Sequence, residues 1–204
     1  YAQYLTPMVV LVAITFAAVS AAFRSATDAS QGINRRFRAM PIPKLVPLTA
    51  RVSASMFRCA LAMVVALACG HVIGFRFHGG VLDTVAFCAV ALFIGLALSL
   101  LGDLIGTASE NPEATTHMIM LPQLIFGMLS IGIQPVERFP EWIQGFVRNQ
   151  PTSQFIVALR ALAGDTTPNA PQIGWETIGP ALLWTVGIIA VVIPLHARVA
   201  ARRQ

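Results

Sequence analysis

Five apolar runs dominate the chain, separated by polar or basic stretches. The first runs uncharged from Leu5 to Phe23. The second covers about Cys59 to Phe75, with Arg58 at its entrance, where a long stem lets the guanidinium snorkel to water. The third runs from Thr84 to Leu101 and on to Thr107, and the fourth from His117 to Val136, interrupted by Pro122. The fifth is Ile178 to Leu195, followed by a basic tail. An α-helix rises about 1.5 Å per residue, so roughly 20 residues cross the ~30 Å hydrocarbon core of a bilayer. Each run approaches that length. The pattern predicts an all-α, polytopic membrane protein with five transmembrane helices.

Between the fourth and fifth runs the period changes. Phe139, Trp142, Ile143, Phe146 and Val147 recur at helical spacing, and Pro140 and Glu141 suit a first turn. A second short helix is expected from Thr152 to Leu162, with Thr152 as N-cap, Gly164 as stop and one stripe of Phe155, Leu159 and Leu162. Two such helices over residues 139–163 are expected either to lie at the interface, partly re-entrant, or to form an outer hairpin packed on the spans. A polar linker, 164–172, leads to the last span.

Composition agrees: 56% of the 204 residues are hydrophobic and 11% charged, where soluble domains carry about a quarter charged residues. The net charge of +5 raises the question of nucleic acid, but the basic residues cluster between apolar spans without interleaved aromatics to stack bases, so no nucleic-acid partner is expected. Their placement sets the topology instead. Arg24, Arg35, Arg36, Arg38, Lys44 and Arg51 occupy the first loop, 24–52, and Arg198, Arg202 and Arg203 the tail. With five spans these segments share a side, which the positive-inside bias makes cytoplasmic. Tyr1 then starts outside, and one further span with a cytoplasmic start is expected to precede it. Cys59, Cys69 and Cys88 all fall inside apolar stretches and read as structural thiols, not as a disulfide framework or a zinc site.

Catalytic patterns are missing from the sequence. Lys44, in Met-Pro-Ile-Pro-Lys, is the one lysine, so no P-loop lysine follows a glycine-rich turn, and neither HExxH nor GxSxG occurs. The polar groups within spans are His71, Asp103, His117, Gln123 and Gln134. Such groups are expensive in lipid and should face the bundle interior or the interfaces. His71 and Asp103 lie near span ends and are expected to be solvated there. Gln123, deeper, is expected to bond a neighbouring helix or to line a pathway, and Phe126, Met128 and Gln134 join it as candidate pathway residues. A proton-coupled carrier would need carboxylates or histidines in line across the membrane, and no such line exists. The first loop contains a possible short helix that ends before Pro41, since residues preceding proline disfavour the helical region. A helix held between two spans is suited to transmit motion of a soluble partner. A membrane scaffold that recruits a cytoplasmic partner through this basic loop is the alternative, and a neighbouring gene for a stand-alone P-loop ATPase would argue against it.

Three stretches carry a resemblance: Arg35-Arg-Phe-Arg-Ala-Met-Pro-Ile-Pro-Lys-Leu45, Glu110-Asn-Pro-Glu-Ala114, and Pro135-Val-Glu-Arg-Phe-Pro-Glu-Trp-Ile-Gln144, followed by Asn149-Gln-Pro-Thr152 and Arg160-Ala-Leu162. In this order they resemble ABC-2 type permeases, specifically the daunorubicin/doxorubicin-resistance permeases of actinobacteria. The resemblance implies a single ABC-2 transmembrane domain over residues 1–204, whose five spans are the family's second to sixth. It also implies a coupling stretch matching Asp28 to Arg38, with Asp28, Gln31, Arg35, Arg36 and Arg38 as contacts; of the acidic–arginine pair that often opens the family stretch, Asp28 alone stands here. By the same resemblance the chain is a non-catalytic subunit of the cytoplasmic membrane that holds no cofactor. ATP and Mg would be bound by a partner ATPase, a second permease (identical or a paralogue) would complete the pathway, and the cargo would be a lipid or a hydrophobic drug.

Overall fold

The computed structural model describes residues 2–33, 46–109, 111–165 and 171–202. All regular structure in them is helical: α1 (Ala2–Ser30), α2 (Val46–Ile73), α3 (Val81–Ala108), α4 (Pro112–Met128), a 3-10 turn at Val136–Arg138, α5 (Glu141–Asn149), α6 (Pro151–Ala163) and α7 (Trp175–Arg202). Among the described residues, four helices are long and apolar enough to cross a membrane: α1, α2, α3, and α7 over Trp175–His196. The chain therefore folds as an all-α polytopic bundle. One end of it, here the basic end, gathers the end of α1, the start of α2, the end of α3, the start of α4 and the end of α7.

Helix α1 is the axis, packing on α2, α3, α4 and α6. Val10, Leu11 and Ile14 of α1 meet Cys59 and Met63 of α2, Phe87, Ala91 and Ile94 of α3, and Phe155, Ile156 and Leu159 of α6 in one buried cluster. The helix outruns its apolar stretch because its hydroxyls satisfy themselves: Thr27 Oγ1 donates to the Phe23 carbonyl at 2.9 Å and Ser30 Oγ to that of Thr27 at 2.8 Å. A helix can thus continue through the polar residues that close a span.

The α1–α3 contact is set by small residues. Gly102 and Gly106 lie four apart on α3, the spacing that lets two membrane helices approach backbone to backbone. A Cβ on Gly102 would stand 2.7 Å from the Ala18 carbonyl oxygen, and one on Gly106 would strike the Ala22 carbonyl. Outward, α2 and α7 present Phe57, Leu61, Val64, Leu183, Val186 and Val191 as exposed apolar faces suited to lipid.

The fourth expected span, 117–136, is revised. Its helix begins earlier, because Asn111 Oδ1 accepts the backbone N–H groups of Glu113 and Ala114 at 3.0 and 3.2 Å and Pro112 occupies the first turn. It also ends earlier, at Met128. With 17 residues it spans about 25 Å, short of the ~30 Å a crossing needs. The apolar residues beyond it, Leu129 to Val136, are turn and loop, pinned by polar bonds: Gln150 Nε2 donates to the Leu129 carbonyl at 2.7 Å, and the Ile131 N–H donates to Ser153 Oγ at 3.3 Å.

Both short helices expected over residues 139–163 exist, but they differ in setting. Helix α5 is amphipathic, with Val147 buried and Trp142 and Phe146 exposed. Helix α6 is buried nearly all round, so the expected single stripe understates it: Ser153, Ile156, Ala158, Arg160 and Ala163 are inside along with Phe155, Leu159 and Leu162. It docks against α1, α3 and α7, the packed-hairpin alternative. Gly164 ends it in the left-handed conformation, φ 71°, as its place in the sequence suggested.

Candidate functional site

The candidate coupling residues divide. Asp28 sits half-buried in the last turn of α1, so the helix that carries it is the continuing span and not a separate loop helix. Gln31 lies exposed in the turn that follows. Arg35, Arg36 and Arg38 lie outside the described residues. The loop stems are shorter than the expected 24–52, since Arg24 belongs to α1 and Arg51 to α2.

The four candidate pathway residues are not brought together. Gln123 Nε2 donates to Thr15 Oγ1 at 2.9 Å, tying α4 to α1. Phe126 stacks on Phe146 of α5, centroids 6.2 Å apart. Met128 is exposed, and Gln134 lies half-buried in the turn beyond α4.

Gln123 joins the two helices that also line a sizeable cleft. Toward the basic end from its bond to Thr15, α1 and α4 part to form an open cleft of about 530 Å3. Phe16, Val19, Ser20 and Phe23 supply one wall, Thr116 and His117 the other, and Arg24 and Glu113 stand at the mouth. Both phenylalanines are about half exposed, at 52% and 45%, so the wall is apolar and accessible. Arg24 Nη2 bonds Ser20 Oγ at 2.9 Å, which holds the guanidinium along the cleft rim. A space with apolar walls and both charge signs at one end accepts an amphiphile: hydrocarbon or ring system within, polar group at the mouth.

Two buried polar clusters frame this cleft from opposite ends of the bundle. At the far end Arg160 of α6 is 6% exposed, with its guanidinium carbon 3.4 Å from the centroid of the Tyr4 ring. Its Nε donates to the Tyr4 carbonyl at 3.1 Å, and Nη2 to those of Ile131 and Gly132 at 3.2 and 3.3 Å. Tyr4 Oη donates to the same Ile131 carbonyl at 2.7 Å. One arginine thus binds the start of α1, the turn after α4 and α6. Burial pulls its pKa below the ordinary arginine value, and Tyr4 opposes that pull.

At the basic end Asp103 of α3 is 3% exposed, and the expectation of interfacial solvation is corrected. Ser25 Oγ of α1 donates to Asp103 Oδ1. Arg51 Nε of α2 lies 3.4 Å from Oδ1, and His196 Nε2 of α7 lies 3.5 Å from Oδ2. Four helices meet on one carboxylate. Its neighbours Gly102 and Gly106 carried the signal: a four-residue spacing of glycines marks a close helix contact, and a polar residue between them must find partners across it. His71, the other group expected at a span end, is indeed exposed there, bonding the Leu67 carbonyl at 2.9 Å. Cys59 is buried, Cys88 half-buried and Cys69 exposed, all as free thiols.

Comparison with known proteins agrees with this architecture. A family model described as ABC-2 family transporter protein matches residues 1–197. The chain is 50% identical over 201 residues to the doxorubicin resistance ABC transporter permease protein DrrB of Mycobacterium tuberculosis, covering 98% of this chain and 70% of that one. It is 30% identical over 200 residues to the daunorubicin resistance ABC transporter permease protein DrrB1 of Streptomyces coeruleorubidus, covering 97% and 68%. The probable doxorubicin resistance ABC transporter permease protein DrrC of Mycobacterium tuberculosis is 28% identical over 187 residues, covering 92% and 65%. No solved structure matches the chain. The resemblance drawn from its motifs is borne out, and a family match running nearly end to end over this bundle of long apolar helices assigns the chain to the ABC-2 transporter family.

Proposed function

We propose that the chain is the permease subunit of an ATP-driven exporter that moves a hydrophobic drug or a lipid out across the cytoplasmic membrane. The observation that carries this reading is the α1–α4 cleft, apolar within and charged at its mouth. A second permease, identical or a paralogue, would complete a pathway between two such clefts. Hydrolysis belongs to a separate ATPase that binds ATP and Mg, seated on the basic segment with Asp28, Gln31, Arg35, Arg36 and Arg38. Arginine forks hold carboxylates bidentately, which suits a joint that must pull as well as push. The basic segment and the tail then face the cytoplasm.

The test is reconstitution in liposomes with its cognate ATPase, with doxorubicin, for which the relatives' resistance is named, and a phospholipid as separate probes. Stimulated hydrolysis and vectorial movement of either probe is the expected result. Replacing Ser20 with tryptophan fills the cleft and is expected to weaken the apparent affinity for the active probe at least about tenfold, roughly 1.4 kcal/mol. If neither probe is moved and hydrolysis is unaffected by the permease, the chain is a scaffold. Charge reversal of Arg35 and Arg36 to Glu is expected to leave membrane insertion intact while abolishing ATPase association. Wild-type coupling in that double variant would reduce those arginines to a topology signal.

A further inference from the structure

Asp103 is the one carboxylate among the described residues that is buried in the bundle. Its partners are not a random sample of the basic end. Ser25 lies in the last two turns of α1, which ends at Ser30, and Arg51 in the second turn of α2, which starts at Val46. They stand on the two stems of the segment read above as the ATPase seat. His196 comes from α7, three residues short of Val199, which packs with Leu100 and Leu104 of α3.

Stability alone does not account for this arrangement. Desolvation offsets much of what a buried ion pair gains, and apolar side chains of similar volume commonly hold helices together as well. An ion cluster adds directional, exchangeable pairing. The pairing here also has slack. The contacts of Asp103 with Arg51 and His196, 3.4 and 3.5 Å, are longer than the 2.7–2.9 Å typical of charged hydrogen bonds. Its Oδ2 faces His196 Nε2, which also lies 3.3 Å from the Leu100 carbonyl of α3, so the imidazole has an alternative partner on the same helix.

We propose that Asp103 is a positioning residue that ties both stems of the basic segment to α3 and α7, so that displacement of the segment by the ATPase carries those helices with it. This rests on the reading of the segment as the ATPase seat. When the stems shift, Arg51 and His196 trade distance to the one carboxylate, and α7 follows the stem of α2. The movement reaches the cleft through α1, whose Ser25 lies one residue beyond Arg24 at the cleft mouth.

The experiment uses the complete transporter, permeases with ATPase, in liposomes with doxorubicin as probe, and measures probe exported per ATP hydrolysed together with the fraction of complex that is assembled. Asp103→Asn keeps shape and removes the charge. The expected result is an assembled complex that hydrolyses ATP while exporting roughly tenfold less probe per ATP, the size of a typical coupling between sites. His196→Gln is expected to lower the same ratio by a smaller factor, and the exchange Asp103→Arg with Arg51→Asp to restore part of it. A wild-type ratio in Asp103→Asn, or a loss of assembled complex with normal export per ATP in what remains, overturns the proposal and leaves a structural contact. If Asp103→Asn does not assemble, a wild-type ratio in His196→Gln overturns it equally. Should the wild-type complex fail to couple hydrolysis to export, the parent reading falls as well, and the two failures are told apart by that control.

Discussion

Substituting Gly106 with valine is expected to prevent α1 and α3 from packing and to remove most of the folded protein. The glycine has no clearance: an added Cβ would strike the Ala22 carbonyl and stand 2.9 Å from Ser25 Cβ, so backbone would have to move where no flexible side chain can yield. Overpacking a tight interior typically costs 1–3 kcal/mol, and at a backbone-to-backbone contact the upper end of about 3 kcal/mol is expected. The displaced turn would also pull Ser25 from Asp103 and unsettle the other three helices that meet there. The measurement is the thermal midpoint and monodisperse yield in mild detergent. Gly145→Ala on the exposed face of α5 is the control. A Cβ there meets nothing within 4 Å, and alanine favours a helix by up to about 1 kcal/mol, so no loss is expected. Equal midpoints for the Gly106 variant and wild type would show that the helices do not pack as described.

The second large effect is expected at Arg160. Replacement by methionine keeps the volume and removes the donors to three carbonyls, those of Tyr4, Ile131 and Gly132. Hydrogen bonds from a charged donor contribute about 1.5–3 kcal/mol, and the Ile131 carbonyl keeps the Tyr4 hydroxyl, so destabilisation of roughly 3 kcal/mol is expected. The damage should be local first. Residues 129–140 would detach from α6, and limited proteolysis at this turn would precede global unfolding. Lysine, a point charge without the planar fork, is expected to recover only part. A turn as resistant in Arg160→Met as in wild type would sink the account of this residue as the clasp of the hairpin.

What could be read from the residues depended on how uniform each stretch was. The spans α1, α2, α3 and α7 were legible because long apolar runs have one economical fate in lipid. Their ends were not, since helix continues through Arg24 to Ser30 where side-chain hydroxyls and the interface tolerate it. The fourth span was overextended because hydropathy treats Leu129, Ile131, Ile133 and Val136 as membrane residues whether they form helix or a packed turn. The nearer sign was Ser130 and Gly132 interrupting them, and Ser130 Oγ in fact accepts the Gly132 N–H at 3.2 Å. The apolar stripe of α6 understates its buried face because Ser153, Ala158 and Ala163 count little on a hydrophobicity scale, while in membrane packing small residues are core. Of the proposed pathway residues, Gln123 pointed to the α1–α4 pair, but Phe16, Ser20 and Phe23 across from it sat in a run with no contrast to mark them. For Asp103, closeness to a span end suggests water, while the flanking Gly102 and Gly106 are the sign of a close helix contact that buries it.

The same aspartate bears on the order in which the protein is made. Synthesis delivers Ser25 first and Arg51 second, each on a helix already inserted when Asp103 enters the bilayer. A carboxylate arriving alone in lipid would be penalised by several kcal/mol, enough to hinder insertion of its helix. Here its hydroxyl and guanidinium are waiting, and the glycines beside it let α3 dock on α1 at once. His196 emerges long afterwards. The nascent chain can therefore settle α1, α2 and α3 around the acid before α7 arrives to bring His196 to its other oxygen.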